Sequence, residues 1–139
     1  MRVVVDTNIA VSGLLWNGPP YELLKLAITG RVLLYTSEPL LQELSRVLKY
    51  KQFKVKLQQH GLEPEQVVSL YARLTVPVTP VVLPPVIVAD PDDDAVLACA
   101  VAVKAQALVS GDSHLLALGT FGGIPILKAT EALAFIAKP

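Results

Sequence analysis

The chain opens MRVVVDTN, in which three valines run straight into Asp6. Near the other end ALVSGDSHLL repeats the pattern: Ala107 to Ser110 reads as a strand, and Asp112 follows it. Between these two acids lie Glu43 and Asp94, the second of which heads an apolar stretch. Four carboxylates brought into one cleft repel each other, and some of them take up protons. A divalent cation removes that penalty, and ligands that are all oxygen select Mg²⁺ or Mn²⁺. There is no cysteine pair and no His-Glu helix motif, so zinc is not expected. Mg²⁺ holds few protein ligands, keeps several waters and favours phosphate partners. A bound metal can lower the pKa of a water and so supply a nucleophile, and two metals about 4 Å apart can also stabilise the leaving oxygen of a phosphodiester. The chemistry this set favours is metal-assisted phosphodiester hydrolysis, with one ion or two.

Each residue also has an ordinary reading. Asp6 can cap the helix that follows it. Asp90, Asp92 and Asp93 suit a turn and a helix start, where acids complement the dipole. Glu43 taken singly is a surface glutamate, and Asp112 after Gly111 is a turn residue. His114 reads as solvated or capping. Tyr50 and Phe53 lie among lysines and could stack on bases, although such aromatics more often pack in a core. The functional reading rests on the set, not on any one member.

The elements that must carry these acids follow from the apolar pattern. Arg2 to Val5 is a strand, and Asn8 to Trp16 a short helix that ends at NGPP. Tyr21 to Thr29 has helical spacing with Gly30 at its C-terminal cap. Val32 to Tyr35 is a second strand, and Ser37 caps a helix from about Pro39 to Leu48 that carries Glu43. Two helical segments follow, one ending at Gly61 and one running from Pro64 to Thr75. The prolines of VPVTPVVLPP confine any strand there to an edge. Asp94 to Lys104 is a buried helix, Ala107 to Ser110 a strand, and His114 to Ala117 a helical turn. Ile124 to Leu127 is a last strand, edge-like because of Pro125, and Thr130 caps a terminal helix. Strands that alternate with helices imply an α/β fold with a mostly parallel central sheet of about five strands, flanked by helices on both faces. Ligands in such sheets sit beyond the carboxyl ends of the strands, where Asp6 and Asp112 are placed.

The 139 residues suit one domain, 1–139, with a sizeable core. The hydrophobic fraction of 53% is rich, and the surplus is read as surface buried against another subunit. The longest apolar run, Ala95 to Val103, is too short to span a bilayer, and Asp6 interrupts the first apolar stretch too early for a signal peptide. Cys99 is the sole cysteine and cannot pair within the chain, which suits a reducing cytoplasm. Twelve basic residues balance twelve acidic ones, which argues against a dedicated nucleic-acid binder. The charge is nevertheless segregated. Leu44 to Leu62 contains no acid but holds Arg46, Lys49, Lys51, Lys54 and Lys56, and Leu74 to Val103 contains no Lys or Arg. The basic stretch is either a solvated helix face or a set of contacts to a nucleic-acid backbone.

Three stretches together carry a family resemblance: VVVDTNIAVSGLL, SEPLLQELSRVL and DPDDDAVLACAVAVKAQALVSGDSHLL. The chain resembles the PIN domain ribonucleases, and within them the toxin components of bacterial and archaeal toxin–antitoxin systems. The resemblance implies an acidic Mg²⁺ or Mn²⁺ site that cuts RNA, an antitoxin partner that blocks the cleft, and a homodimer or higher homo-oligomer. It implies that Asp6, Glu43, Asp94 and Asp112 are the catalytic and metal-binding acids, with Asp93 as the alternative to Asp94. It assigns Asn8 and Ser110 to orienting ligands or water. One departure stands out: many relatives carry another acid where this chain has His114, which bears on a second metal.

Two other classes compete. A non-catalytic module of the same fold would bind RNA or protein without turnover. A phospho-acceptor domain of response-regulator type shares strand-end aspartates, but Asp6 lacks an adjacent acid, and Lys128 past the last strand has no matching acceptor.

Overall fold

A computed structural model describes residues 1–85 and 91–138. Asp90, expected in a turn or cap, lies outside the described residues.

Strand β1 (Arg2–Val5) lies inside the sheet because it is apolar on both faces: Val3, Val4 and Val5 are all buried. A fully buried valine contributes about 1.5–3 kcal/mol relative to an exposed one. Strands β2 (Leu33–Thr36) and β4 (Ala107–Val109) pair with it in parallel on either side. Strand β3 (Val76–Pro77) pairs in parallel with β2 and forms one edge, as the prolines around it require. Beyond β4 come β6 (Ile124–Leu127), which is parallel, and β5 (Thr120–Phe121), which is antiparallel, giving the order β3-β2-β1-β4-β6-β5.

The edge expected at Ile124–Leu127 is thereby corrected, because β5 covers it. Pro125 is tolerated there because it precedes Ile126 and Leu127, the two residues that pair with β4. Its missing N–H falls outside that part of the ladder.

Helices cover both faces. Helices α1 (Thr7–Leu15), α2 (Pro19–Ile28), α3 (Glu38–Leu48) and α5 (Pro64–Leu74) contribute to a core with Val3 and Val5, which the terminal helix α8 (Ala129–Ala137) completes. Helix α6 (Pro91–Val103) packs with Val4, Leu108 and Ile126 on the other face. A 3₁₀ turn at Lys51–Phe53 and helix α4 (Lys54–Gln59) join α3 to α5, and α7 (Ser113–Leu118) follows β4. Among the described residues no helix is long and apolar enough to cross a membrane.

Caps set most of these boundaries. The Ser37 hydroxyl accepts from the Leu40 N–H at 3.4 Å, and Gly30 takes the left-handed conformation, φ 80°, just past α2. Thr130 does not cap α8. The helix begins one residue earlier, and the Glu131 carboxylate reaches back to the Lys128 N–H at 2.9 Å. Helix α6 is described from Pro91, so it includes three residues before the start expected at Asp94.

Candidate active site

The site lies where β1 and β4 end side by side. Val5 pairs with Val109, and the Asp6 N–H donates to the Val109 carbonyl at 3.0 Å. The next residue on each strand is therefore a neighbour of the other. The Ser110 hydroxyl donates to the Asp6 carboxylate and accepts from the Asp112 N–H at 2.9 Å. Asp6 is only 7% exposed and Ser110 is fully buried.

Asp6 also meets its ordinary reading. One of its oxygens caps α1 by accepting from the Ile9 N–H at 2.9 Å. Asp112 likewise caps α7, its Oδ1 accepting from the N–H groups of His114 (2.8 Å) and Leu115 (3.4 Å). Capping and ligation are compatible, because an ionised carboxylate offers about four acceptor sites.

Helix α3 packs against both α1 and α6, and this brings Glu43 over the strand ends. A cleft of about 180 Å³ results, lined by Asp6, Asn8, Glu43, Asp92, Asp93 and Asp112 together with Thr7, Tyr50 and Gln52. Two of these acids, Asp6 and Glu43, are perturbed, chiefly by burial. Burial raises the Asp6 pKa, and the charge of Asp112 adds to it. Hydrogen bonds from Ser110 and from the Ile9 and Gly111 N–H groups oppose the rise. Glu43 is pushed up to about 7, mainly by burial and further by the negative Asp92, against a hydrogen bond from Thr7 and the charge of Arg46.

Asp94, expected to be the third acid, is half-buried and does not line the cleft; Asp93 does, at 7% exposure. Helical spacing explains the one-residue shift. Along α6, Asp93 lies in register with Val96 and Ala100, both buried, so that row faces the strand ends. Asn8 is exposed and lines the cleft.

The basic residues divide. Arg46 is ion-paired with Asp92 at 2.6 Å on the cleft rim, and Lys49 with Glu65 at 3.2 Å. The Lys56 ammonium lies over the Trp16 ring, 5.5 Å from its centre. Lys49, Lys51 and Lys54 line a second groove, of about 610 Å³, with Tyr50 shared between it and the cleft. Phe53 is not free to stack on a base, since it meets Trp16 edge-on and packs against the core.

The donor set fits Mg²⁺ or Mn²⁺. It is made of carboxylate oxygens whose burial and mutual repulsion a cation would relieve.

A family model of the PIN domain matches residues 2–114. The chain belongs to the PIN domain family. Its fold is similar to that of a chain in the crystal structure of VapBC2 from Rickettsia felis bound to a DNA fragment from their promoter, with a TM-score of 0.59 and 14% identity over 91% of this chain and 97% of that one. At that identity the likeness is one of fold. No curated protein matches the sequence.

Two contacts of this PIN domain carry no signal in the sequence, and the place of a third residue, His114, shows there only as a departure from the acid of many relatives. Thr7, inside the quoted DTN, hydrogen-bonds Glu43 and so ties the start of α1 to α3. Asp92 engages Arg46 at the rim. His114, read as solvated or capping, brings a ring nitrogen within 4.8 Å of carboxylate oxygens of Asp93 and Asp112. The alternation of strands and helices is silent on all three, because each depends on how one helix is rotated against another.

Proposed function

We propose that this PIN domain is a divalent-metal-dependent endoribonuclease and the toxin of a toxin–antitoxin pair. The observation that carries the reading is the meeting of Asp6, Glu43, Asp93 and Asp112, from four separate elements, in one small cleft at the mouth of the sheet. Family membership supports the same chemistry.

The four carboxylates hold the ion, Mg²⁺ or Mn²⁺, which supplies Lewis-acid stabilisation of the phosphodiester and an activated water. Ser110 keeps Asp6 oriented, and Thr7 does the same for Glu43. Asn8, exposed at the cleft, orients the substrate phosphate or the attacking water. Asp92 draws Arg46 to the rim, where its guanidinium faces an incoming backbone phosphate. Lys49, Lys51 and Lys54 carry the strand onward along the neighbouring groove, and exposed Tyr50, between cleft and groove, offers a ring on which one base stacks. The near-neutral chain binds RNA this way because its positive charge is gathered beside a cleft that the cation neutralises.

Likeness of fold to a chain of a VapBC assembly on promoter DNA supports an antitoxin as the protein partner. The chain's hydrophobic fraction of 53% is consistent with a homodimer that buries part of its surface.

The deciding experiment is cleavage of total RNA with Mn²⁺ or with chelator, mapping new ends, for wild type and Asp6→Asn. Metal-dependent ends at discrete sites, lost in Asp6→Asn while circular dichroism stays native, are expected. Full activity in Asp6→Asn overturns the reading, and RNA binding without ends favours a non-catalytic module.

A further inference from the structure

Beside the carboxylates that line the cleft stands one nitrogen donor, the His114 imidazole. Asp93, Asp112 and His114 each present one ligand atom, and the three atoms lie within 4.8 Å of one another. Asp93 and Asp112 both line the cleft, so this trio is continuous with it. The position of His114 is set by the backbone. The Asp112 Oδ1 caps α7 by accepting the His114 N–H, which places the ring beside the same carboxylate, with Nδ1 3.7 Å from Oδ1. The cap engages Oδ1, and an ionised carboxylate keeps further acceptor sites for an ion. The imidazole itself is 58% exposed and reaches the site without rearrangement of the core.

On the footing of the metal-dependent reading above, we propose that His114 joins Asp93 and Asp112 as a metal ligand. The trio then takes a first-row transition ion such as Co²⁺ or Mn²⁺ ahead of Mg²⁺. Carboxylate and water suit Mg²⁺, whereas imidazole adds a nitrogen donor that favours transition ions, in the order Mn²⁺ below Co²⁺. Mg²⁺ gains little from that exchange, since it prefers oxygen and retains its waters. The identity of residue 114 thereby sets which ion the protein selects, a property separate from whether it cleaves RNA.

The test is calorimetric titration of the metal-free full chain with Co²⁺ and with Mg²⁺, for wild type, His114→Ala, His114→Asp and Asp93→Asn, with the visible spectrum of bound Co²⁺ as a second readout. Loss of a mere hydrogen-bond partner of a ligand typically lowers metal affinity about 10–100-fold, so loss of the imidazole is expected to weaken Co²⁺ by at least about tenfold. Mg²⁺ binding should change far less in His114→Ala, and His114→Asp should bring the two affinities together. Asp93→Asn should weaken Co²⁺ as His114→Ala does. Equal Co²⁺ affinity and an unchanged spectrum in His114→Ala would overturn the proposal while leaving the carboxylate site intact. Failure of wild type to bind either ion would remove both. Thermal unfolding without metal controls for folding, which an exposed ring should not alter.

Discussion

Ser110 donates its hydroxyl proton to the carboxylate of Asp6, which lies 104 positions earlier in the chain, and through the same oxygen it receives the N–H of Asp112. One buried hydroxyl therefore fixes the relation between the acid that ends β1 and the acid that follows β4. Ser110→Ala should leave the Asp6 carboxylate buried with fewer donors and destabilise the protein by about 1–3 kcal/mol in urea unfolding. A loss under about half a kcal/mol would mean that the bond carries little.

Glu43 makes metal-free stability depend on pH. Its folded-state pKa is pushed up from 4.5 to about 7, so the folded protein holds the proton more tightly than the unfolded chain does. With respect to this group, stability is greatest below about 4.5 and is lost as pH rises towards about 7. Glu43→Gln should therefore gain on wild type between about pH 5 and pH 8 in urea midpoints, and millimolar Mg²⁺ should close that gap at about pH 8. Parallel pH profiles for the two proteins would show that Glu43 is solvated after all.

The one-residue shift on α6 can be read out directly. Asp93→Asn should lower Mn²⁺ affinity and RNA cleavage by at least about tenfold, whereas Asp94→Asn should stay within about twofold of wild type. The reverse ranking would return the ligand role to Asp94.

Lys51 and Lys54 border the groove beside the cleft. Replacing either by Ala should weaken binding of single-stranded RNA. It should also flatten the plot of log affinity against log salt by about 0.7 for each phosphate that is no longer neutralised. Fluorescence anisotropy at several salt concentrations measures this, and an unchanged slope would move the RNA path off the groove.

Close packing of α1 on α2 holds Asp6 and Thr7 from behind. A Cβ at Gly13 would come within 2.6 Å of the Leu24 Cδ1 and 2.8 Å of the Pro20 carbonyl oxygen. Gly13→Ala should therefore cost about 1–3 kcal/mol through overpacking, visible as a lower thermal midpoint. A neutral result would mean that α2 shifts aside freely.

The sequence by itself determined the strand–helix alternation, the edge position of β3 and the placement of Asp6 and Asp112 at strand ends. These follow from local apolar runs, from caps such as Ser37 and from breakers such as the prolines after Thr75, all of which act within a few residues. It also placed Glu43 on the helix after β2, since that helix is set by its cap and spacing. Tertiary structure decided the rest. Pro125 marked an edge only until β5 folded back over β6, a pairing of two residues too short to leave a pattern. Asp93 and Asp94 are chemically identical neighbours, and only the rotation of α6 against the sheet turns one of them into the cleft. Charge patterning gathered the basic residues into one stretch, but it could not assign Arg46 to Asp92, Lys49 to Glu65 or Lys56 to the Trp16 ring. Such partnerships join side chains far apart along the chain, and they arise when helices with favourable apolar faces settle at one particular angle.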